Sequence, residues 1–460
     1  MIKIRREFLT KTGCSLLGYS SIYNTLFNLK LAEAAAVEQS DSSGYKALVC
    51  VFMFGGNDSY NMLIPAEADE YKMYKSVRGG LAIPFANMSK YSALLLPTPS
   101  QDGRKFAVHP AMTELRDLYK SGQLAFLANT GTLVEPTTVK SYKNRSSTLP
   151  SALFSHNDQR DQWQTGLPQE KSKTGWLGRA IDQLQSAETQ KELTAISLNG
   201  NNLLQTGKQD GPFTITGNGG VAMKSAVASS VFELLEKRSI NTGSDESSVL
   251  YNEFLKSSRK SISINQRFLQ AFNTVTLPGK TPATSRLSES LDAVAKSIKL
   301  GKKTGLKRQT FFLLAPGWDN HQDLLTAHKA LLTDLSMSLG RFQQTINTMD
   351  LSNEVTTFTA SDFARTLRSN GRGTDHAWGG NHFILGGAVK GGTVYGSYPE
   401  QLLINDGLDV GNNGRLLPTT SCDQYFAELL RWFGIPANSM IDVLPNLGNF
   451  PASPLGFLDS

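Results

Sequence analysis

Apolar residues in this chain gather into short unbroken runs, each stopped by glycine or an acid, and into longer stretches where they recur every three or four positions. The run 46–54 (KALVCVFMF) predicts a strand buried on both faces of a parallel sheet, and 309–315 (QTFFLLA) predicts another. Residues 124–129, 193–198 and the β-branched run Val355, Thr356, Thr357 and Thr359 predict further strands. Residues 383–389 and 393–395 read as short strands or as a hairpin across Gly391-Gly392. Helical spacing predicts helices over 111–121, stopped at Gly122, from Ser155 onward, over 324–349 and over 423–433. Three more, 231–237, 249–272 and 287–300, predict an all-helical excursion over about 225–300, with exposed joints near Gly243 and between Pro278 and Pro282. Residues 62–105 read as loop-rich around Pro65, Pro84, Pro97 and Pro99.

The first residues form a separate unit. MIKIRREFLTKTG is basic, the next stretch is moderately apolar, and Ala32-Glu33-Ala34 supplies small residues, which together predict an export signal over 1–36 and a mature chain over 37–460. Arg5-Arg6 before Glu7-Phe8-Leu9 resembles a twin-arginine signal, so the expected first partner is the twin-arginine export machinery and the expected location periplasmic or secreted. Ser15, Ser20, Ser21, Tyr23 and Asn24 interrupt the apolar part, so no stable membrane span is expected after processing. Half of the net charge of +6 lies in that segment, and the nearly balanced remainder argues against a nucleic-acid binder. Cleavage would leave Cys50 and Cys422, too few for a disulfide framework.

Three strands deliver acids at their C-terminal ends, where open parallel sheets bind ligands: Asp58 after Gly55-Gly56-Asn57, Asp319 in Gly317-Trp318-Asp319-Asn320-His321, and Asp362. Asp319 and His321 are two apart and share a face of extended backbone, an oxygen–nitrogen pair that suits zinc, manganese or iron. Beyond Asp362, a loop containing Gly371, Gly373, Gly379 and Gly380 carries His376 and His382, two of only six histidines, back toward the sheet. A metal or an anionic ester would fit there; a polar loop whose histidines only hydrogen-bond is the plain alternative. The double glycine would let main chain approach a ligand, or simply turn, with Asn57 and Asp58 capping the next segment. Ser155 opens a helix, where unpaired N–H groups favour an anion or an alkoxide, and Asp158 three residues on also matches a capping pattern. His109 before Pro110 reads as a turn residue and His328 as a surface position on its amphipathic helix.

The segments FGGNDSYN, HPAM, LFSHNDQRDQW, GWDNH, SDFART and DHAWGGNH resemble the domain-of-unknown-function 1501 family over nearly the whole mature chain. That family is similar to the alkaline phosphatase and sulfatase superfamily. The resemblance implies an α/β/α sandwich with a largely parallel central sheet, and one or two divalent ions (zinc, manganese or calcium) at its C-terminal edge. It implies Asp58, Asp319, His321, Asp362 and His376 as metal ligands and Ser155 as nucleophile. Where the superfamily has an Asp-His pair, this chain has Asp362-Phe363, and Asn57, Asn381 or His382 would have to substitute.

The expectation is an exported metal-dependent hydrolase of phosphate or sulfate esters, free or polymer-linked, with Arg365 or His156 steadying the anion. A non-catalytic exported binding or assembly protein on the same scaffold is the alternative.

Overall fold

Among the described residues, nine strands form one sheet in the computed structural model. They are β1 (Lys46–Phe54), β5 (Leu124–Gly131), β6 (Ala195–Ser197), β7 (Phe213–Thr214), β8 (Arg308–Pro316), β9 (Val355–Ser361), β10 (Gly380–Leu385), β11 (Val394–Tyr395) and β12 (Thr420–Ser421). Across the sheet they run β11-β5-β10-β9-β1-β8-β6-β7, with β12 beside β5. A smaller sheet holds β2 (Leu63–Pro65), β3 (Leu94–Leu95) and β4 (Phe106–Val108). The structure describes residues 44–84, 94–184, 193–208, 211–220, 265–279, 282–405 and 407–458. The export segment and the expected helices at 231–237 and, up to residue 264, at 249–272 lie outside them.

β1 is parallel to both of its neighbours, β8 and β9, and β6 and β7 continue that direction. β10 runs antiparallel to β9 and to β5, whereas β11 and β12 run parallel to β5. The sheet is therefore mixed and mostly parallel. β10 and β11 form no hairpin, because β5 lies between them; the chain crosses it at Gly391, where a Cβ would meet the Gly122 carbonyl oxygen at 2.5 Å.

The central strands are apolar throughout because each feeds two cores. Ala47, Val49, Val51 and Met53 face one; Leu48, Cys50 and Phe52 face the other, as strand alternation requires. Among the helices of the described residues are α1 (Ala68–Arg78), α2 (Thr113–Lys120), α3 (His156–Thr165), α4 (Trp176–Leu184), α5 (Arg286–Lys303), α6 (Leu324–Thr348) and α7 (Cys422–Phe433). Leu115 of α2, Val294 and Ile298 of α5, and Leu335 and Phe342 of α6 fill the first core. Trp163 of α3, Trp176 and Leu177 of α4, and Phe426 and Leu430 of α7 fill the second. The result is an α/β/α sandwich. Helix α5, expected within the helical excursion, packs directly on the sheet's first face. Helix α1 falls where the sequence read as loop: of its eleven residues only Tyr74 and Arg78 are buried, so it carries almost no apolar stripe. Among the described residues no helix is long and apolar enough to cross a membrane.

Candidate metal centre

The register of β1 sets Met53 beside Ala315 and Ser361, so three chains leave the sheet level with one another. Gly55 and Gly56 come next, at φ +120° and +87°. A Cβ on Gly55 would lie 2.4 Å from the Asp319 nitrogen, and one on Gly56 would lie 2.5 Å from the Phe363 ring. The double glycine thus admits its two neighbouring chains, and it is these, rather than a ligand, that approach its main chain.

At the lip, the Asp319 carboxylate is ringed by imidazoles. Oδ1 lies 3.0 Å from His321 Nε2 and 3.5 Å from His376 Nε2, and Oδ2 lies 3.5 Å from His156 Nε2. Each ring is fixed from behind through Nδ1: His156 to Asp362 Oδ2 at 2.7 Å, His321 to Asp375 Oδ1 at 3.2 Å, and His376 to the Phe154 carbonyl at 2.8 Å. A carbonyl or carboxylate can only accept, so all three Nδ1 atoms carry the proton and the three Nε2 atoms turn lone pairs inward when neutral. His156 Nε2 is consequently buried with no hydrogen-bond partner, and His321 Nε2 and His376 Nε2 face each other at 3.0 Å. Opposed lone pairs at that distance need a proton or a metal ion between them. Ligand atoms of His156, Asp319 and His376 lie within 4.8 Å of one another, and imidazoles backed by carboxylates and a carbonyl are the usual outer support of a metal site. The residues present fit a divalent ion of the zinc, manganese or iron class. Asp319 is 44% exposed, so the centre opens to solvent on one side.

His376 arrives by a hairpin. Arg365 and His376 form an antiparallel bridge, with Thr366 N bonded to Asp375 O, so the chain returns beside its own strand. Gly373 packs under this turn, since a Cβ there would meet the Asn320 carbonyl oxygen at 2.4 Å. His156 arrives from the other side, as the first residue of α3. The carbonyl that orients His376 belongs to Phe154, which holds φ +70°, a genuine outlier for an aromatic residue. Phe363, buried at the position after Asp362, is the floor on which the His156 and His376 rings pack, with centroids 4.7 and 4.5 Å away.

Ser155 is the N-cap of α3 by backbone geometry, but its hydroxyl accepts no backbone N–H; Oγ donates to Asp158 Oδ2 at 2.6 Å. Arg365 is fully buried: Nη1 donates to Asp319 Oδ1 at 2.7 Å and to the Gly55 carbonyl, Nε to Thr374 Oγ1 and Nη2 to the Thr374 carbonyl. Four of its five N–H donors are thus engaged inside the protein, so its main task is to hold Asp319, with one Nη2 N–H left over. Asp362 sits behind His156, accepting from its ring and from Gly55 N at 3.2 Å. Asp58 stands apart from the cluster, in a fully buried ion pair with Arg78, whose Nη1 also donates to the Thr366 and Leu367 carbonyls.

The proposed substitutes are tied elsewhere. Asn57 Oδ1 accepts from His328 Nε2 at 2.9 Å, Asn381 bonds Asn129 N and the Ser59 carbonyl, and His382 packs against Trp163 in the second core. His328 is 1% exposed, against the surface position expected of it; it lies on the same helical stripe as Leu332, Leu335 and Leu339. His109 is a turn residue, accepting Ala111 N on Nδ1.

Burial pushes the Asp319 carboxyl up, but the Arg365 hydrogen bond and charge and the imidazoles outweigh it and hold it below the usual carboxylate range. Burial raises Asp362, and the bond from His156 only partly offsets it. Burial lowers His376 against the opposing pull of the Phe154 carbonyl, which keeps the imidazole neutral and its Nε2 available to a ligand.

The family described as "Protein of unknown function (DUF1501)" matches residues 45–403, most of the chain. This chain belongs to that family. No curated protein matches the chain in sequence. In structure, this DUF1501 protein is similar to the lipoteichoic acid synthase LtaP from Listeria monocytogenes, at 8% identity and TM-score 0.36, covering 90% of this chain and 81% of that one. It is also similar to a protein in the alkaline phosphatase superfamily from Vibrio parahaemolyticus, at 10% identity and TM-score 0.36, covering 95% and 81%. A third, Ps i-CgsB, shares 9% identity at TM-score 0.35, covering 88% and 77%. At such distances the site has to be read from its own side chains.

Four residues that support the site were not singled out in the sequence. Asp375, beside His376 in DHAW, carried a signal, since an acid next to a candidate ligand is a natural partner for a second imidazole. Arg78, the Phe154 carbonyl and Arg415 carried none, because each acts across a long stretch of chain.

Proposed function

We propose that this DUF1501 protein is an exported metal-dependent hydrolase of phosphate or sulfate esters, acting in the periplasm or outside the cell. One observation carries the reading: three imidazoles with fixed tautomers turn Nε2 toward one solvent-facing carboxylate. Bound there, a divalent ion supplies Lewis acidity toward an anionic ester oxygen. The chain's own residues do the rest. Asp362 and the Phe154 carbonyl hold two rings at fixed angles, Arg365 holds Asp319, and Asp375 holds His321. Ser155 precedes His156 and already donates its proton toward Asp158; as Oγ bonds to the ester's phosphorus or sulfur, that carboxylate would take the proton and the ester's alcohol would leave, protonated by water. The basic, twin-arginine-like start of the chain supports folded export, which suits a protein that takes up its ion first.

A non-catalytic binding protein is the second reading. It draws support from Arg365, which is buried and spends four of its five donors inside the protein, and from the apolar Phe363 floor. Chromogenic phosphate and sulfate monoesters and diesters, assayed with and without chelator, separate the two. Metal-dependent turnover that Asp319→Ala with His376→Ala abolishes supports the hydrolase; bound metal without turnover on any ester favours the binder.

A further inference from the structure

The strand ends bring Asp58, Asp319 and Asp362 to one edge of the sheet, enough acids for two ions, but the cations they meet are already covalent parts of the protein. Asp58 and Arg78 are both fully buried, and the Arg78 guanidinium is locked further by Asn61 Oδ1 and the Thr366 and Leu367 carbonyls. Asp319 Oδ1 takes Arg365 Nη1 at 2.7 Å, and Arg365 is anchored by Gly55 and Thr374. Asp362 spends Oδ2 on His156 and Gly55. Arg78 thus already neutralises Asp58, while Arg365 takes Asp319 Oδ1 and leaves that carboxylate's Oδ2, which faces His156, to a single ion. Asp58 Oδ1 and Asp362 Oδ1 have no partner, yet among the described residues neither belongs to a group of three converging ligand atoms, whereas His156, Asp319 and His376 do.

We propose that the centre holds one metal ion, with Arg365 and Arg78 as fixed positive charges that close the neighbouring position to a second. This rests on the metal-centre reading above and deepens it. The resulting chemistry is single-ion chemistry: His156, His376, Asp319 and His321 surround the ion, and Arg365 stands as the second cation of the site without being exchangeable.

Metal content decides it. The full chain, loaded separately with excess Zn(II) and Mn(II) and then desalted, is expected to retain one equivalent by elemental mass spectrometry. His156→Ala with His376→Ala is expected to retain none. Asp58→Asn alone leaves Arg78 unpaired and risks misfolding, so the informative variant is Asp58→Asn with Arg78→Gln, checked for a native melting transition. It is expected to keep one equivalent, with affinity within threefold. Two equivalents in the parent chain, falling to one in that double variant, overturn the one-ion proposal and leave the metal centre standing. No metal at all in the parent chain overturns both.

Discussion

The guanidinium of Arg415 lies 4.3 Å from the ring centroid of Phe154, the residue held at φ +70°. From the same side chain, Nε donates to the His376 backbone carbonyl at 2.8 Å, while the His376 ring donates to the Phe154 carbonyl. One arginine therefore clamps both ends of the link that aims His376. Arg415 is itself set by Asp409, which accepts its backbone N–H at 3.1 Å.

Arg415→Leu removes the clamp without touching a candidate ligand. Outer supports of metal ligands are typically worth about 10–100-fold in affinity, so zinc affinity measured by competition with a chromogenic chelator should fall about tenfold or more. Lysine restores charge but neither the planar stacking nor the Nε donor, so Arg415→Lys should recover only part of the loss. Unchanged affinity in Arg415→Leu would show that Phe154 holds its conformation without help.

Asp362→Ala tests the support behind His156. The ring loses the acceptor for its Nδ1 proton and with it the bias that leaves Nε2 free. Metal affinity should drop about 10–100-fold. Burial already disfavours the Asp362 charge, so the melting temperature should move little compared with the affinity. Nitrogen chemical shifts of the His156 ring give the direct readout: a single tautomer in the parent chain, a mixture in the variant.

The strands and the edge that gathers the acids were legible because the apolar runs 46–54 and 309–315 can only be buried on both faces, and the residue after such a run must emerge at the lip. Asp319 and His321 followed from that alone. His156 did not read as a ligand, because a residue just inside a helix after Ser155 looks like part of a cap, and its approach to Asp362 spans 206 positions. Asp58 looked like a ligand because nothing local reveals that Arg78, on a helix with scarcely any apolar pattern, reaches back to neutralise it. His328 was readable after all: the buried stripe Leu324, His328, Leu332, Leu335, Leu339 keeps helical spacing straight through it.

Gly56→Ala should be among the costliest single-methyl changes in the protein. Position 56 holds φ +87°, and the added Cβ would lie 2.5 Å from a Phe363 ring that is itself pinned between Gly56 and two imidazoles. Left-handed backbone costs an alanine about 1–2 kcal/mol, and overpacking adds about 1–3 kcal/mol, so unfolding by urea should show a loss of about 3 kcal/mol. Because Phe363 is also the floor of the centre, the same variant should bind metal more weakly. Gly44→Ala, at φ +84° with no atom within 4 Å of a Cβ, isolates the backbone share of that cost.

Acid should unfold this protein through its buried histidines. Burial drives His109, His328 and His382 down to about 3, with neighbouring positive charge adding to the first two. In the unfolded chain each takes up a proton near pH 6.5, while in the fold each stays neutral until about pH 3. Between those values the unfolded state binds more protons, so stability is full above about pH 6.5 and falls as pH drops toward 3. Asp423 runs the other way: burial raises it to about 7, so its contribution is lost as pH climbs from the ordinary carboxylate range through 7. Urea midpoints taken from pH 8 to pH 4 should therefore decline on the acid side. His328→Gln can still donate toward Asn57 but cannot be protonated, so it should shallow that decline while leaving the alkaline side unchanged. An unaltered acid slope in His328→Gln would assign the decline to the other histidines or to Asp319 and Asp375, whose carboxyls the fold holds low.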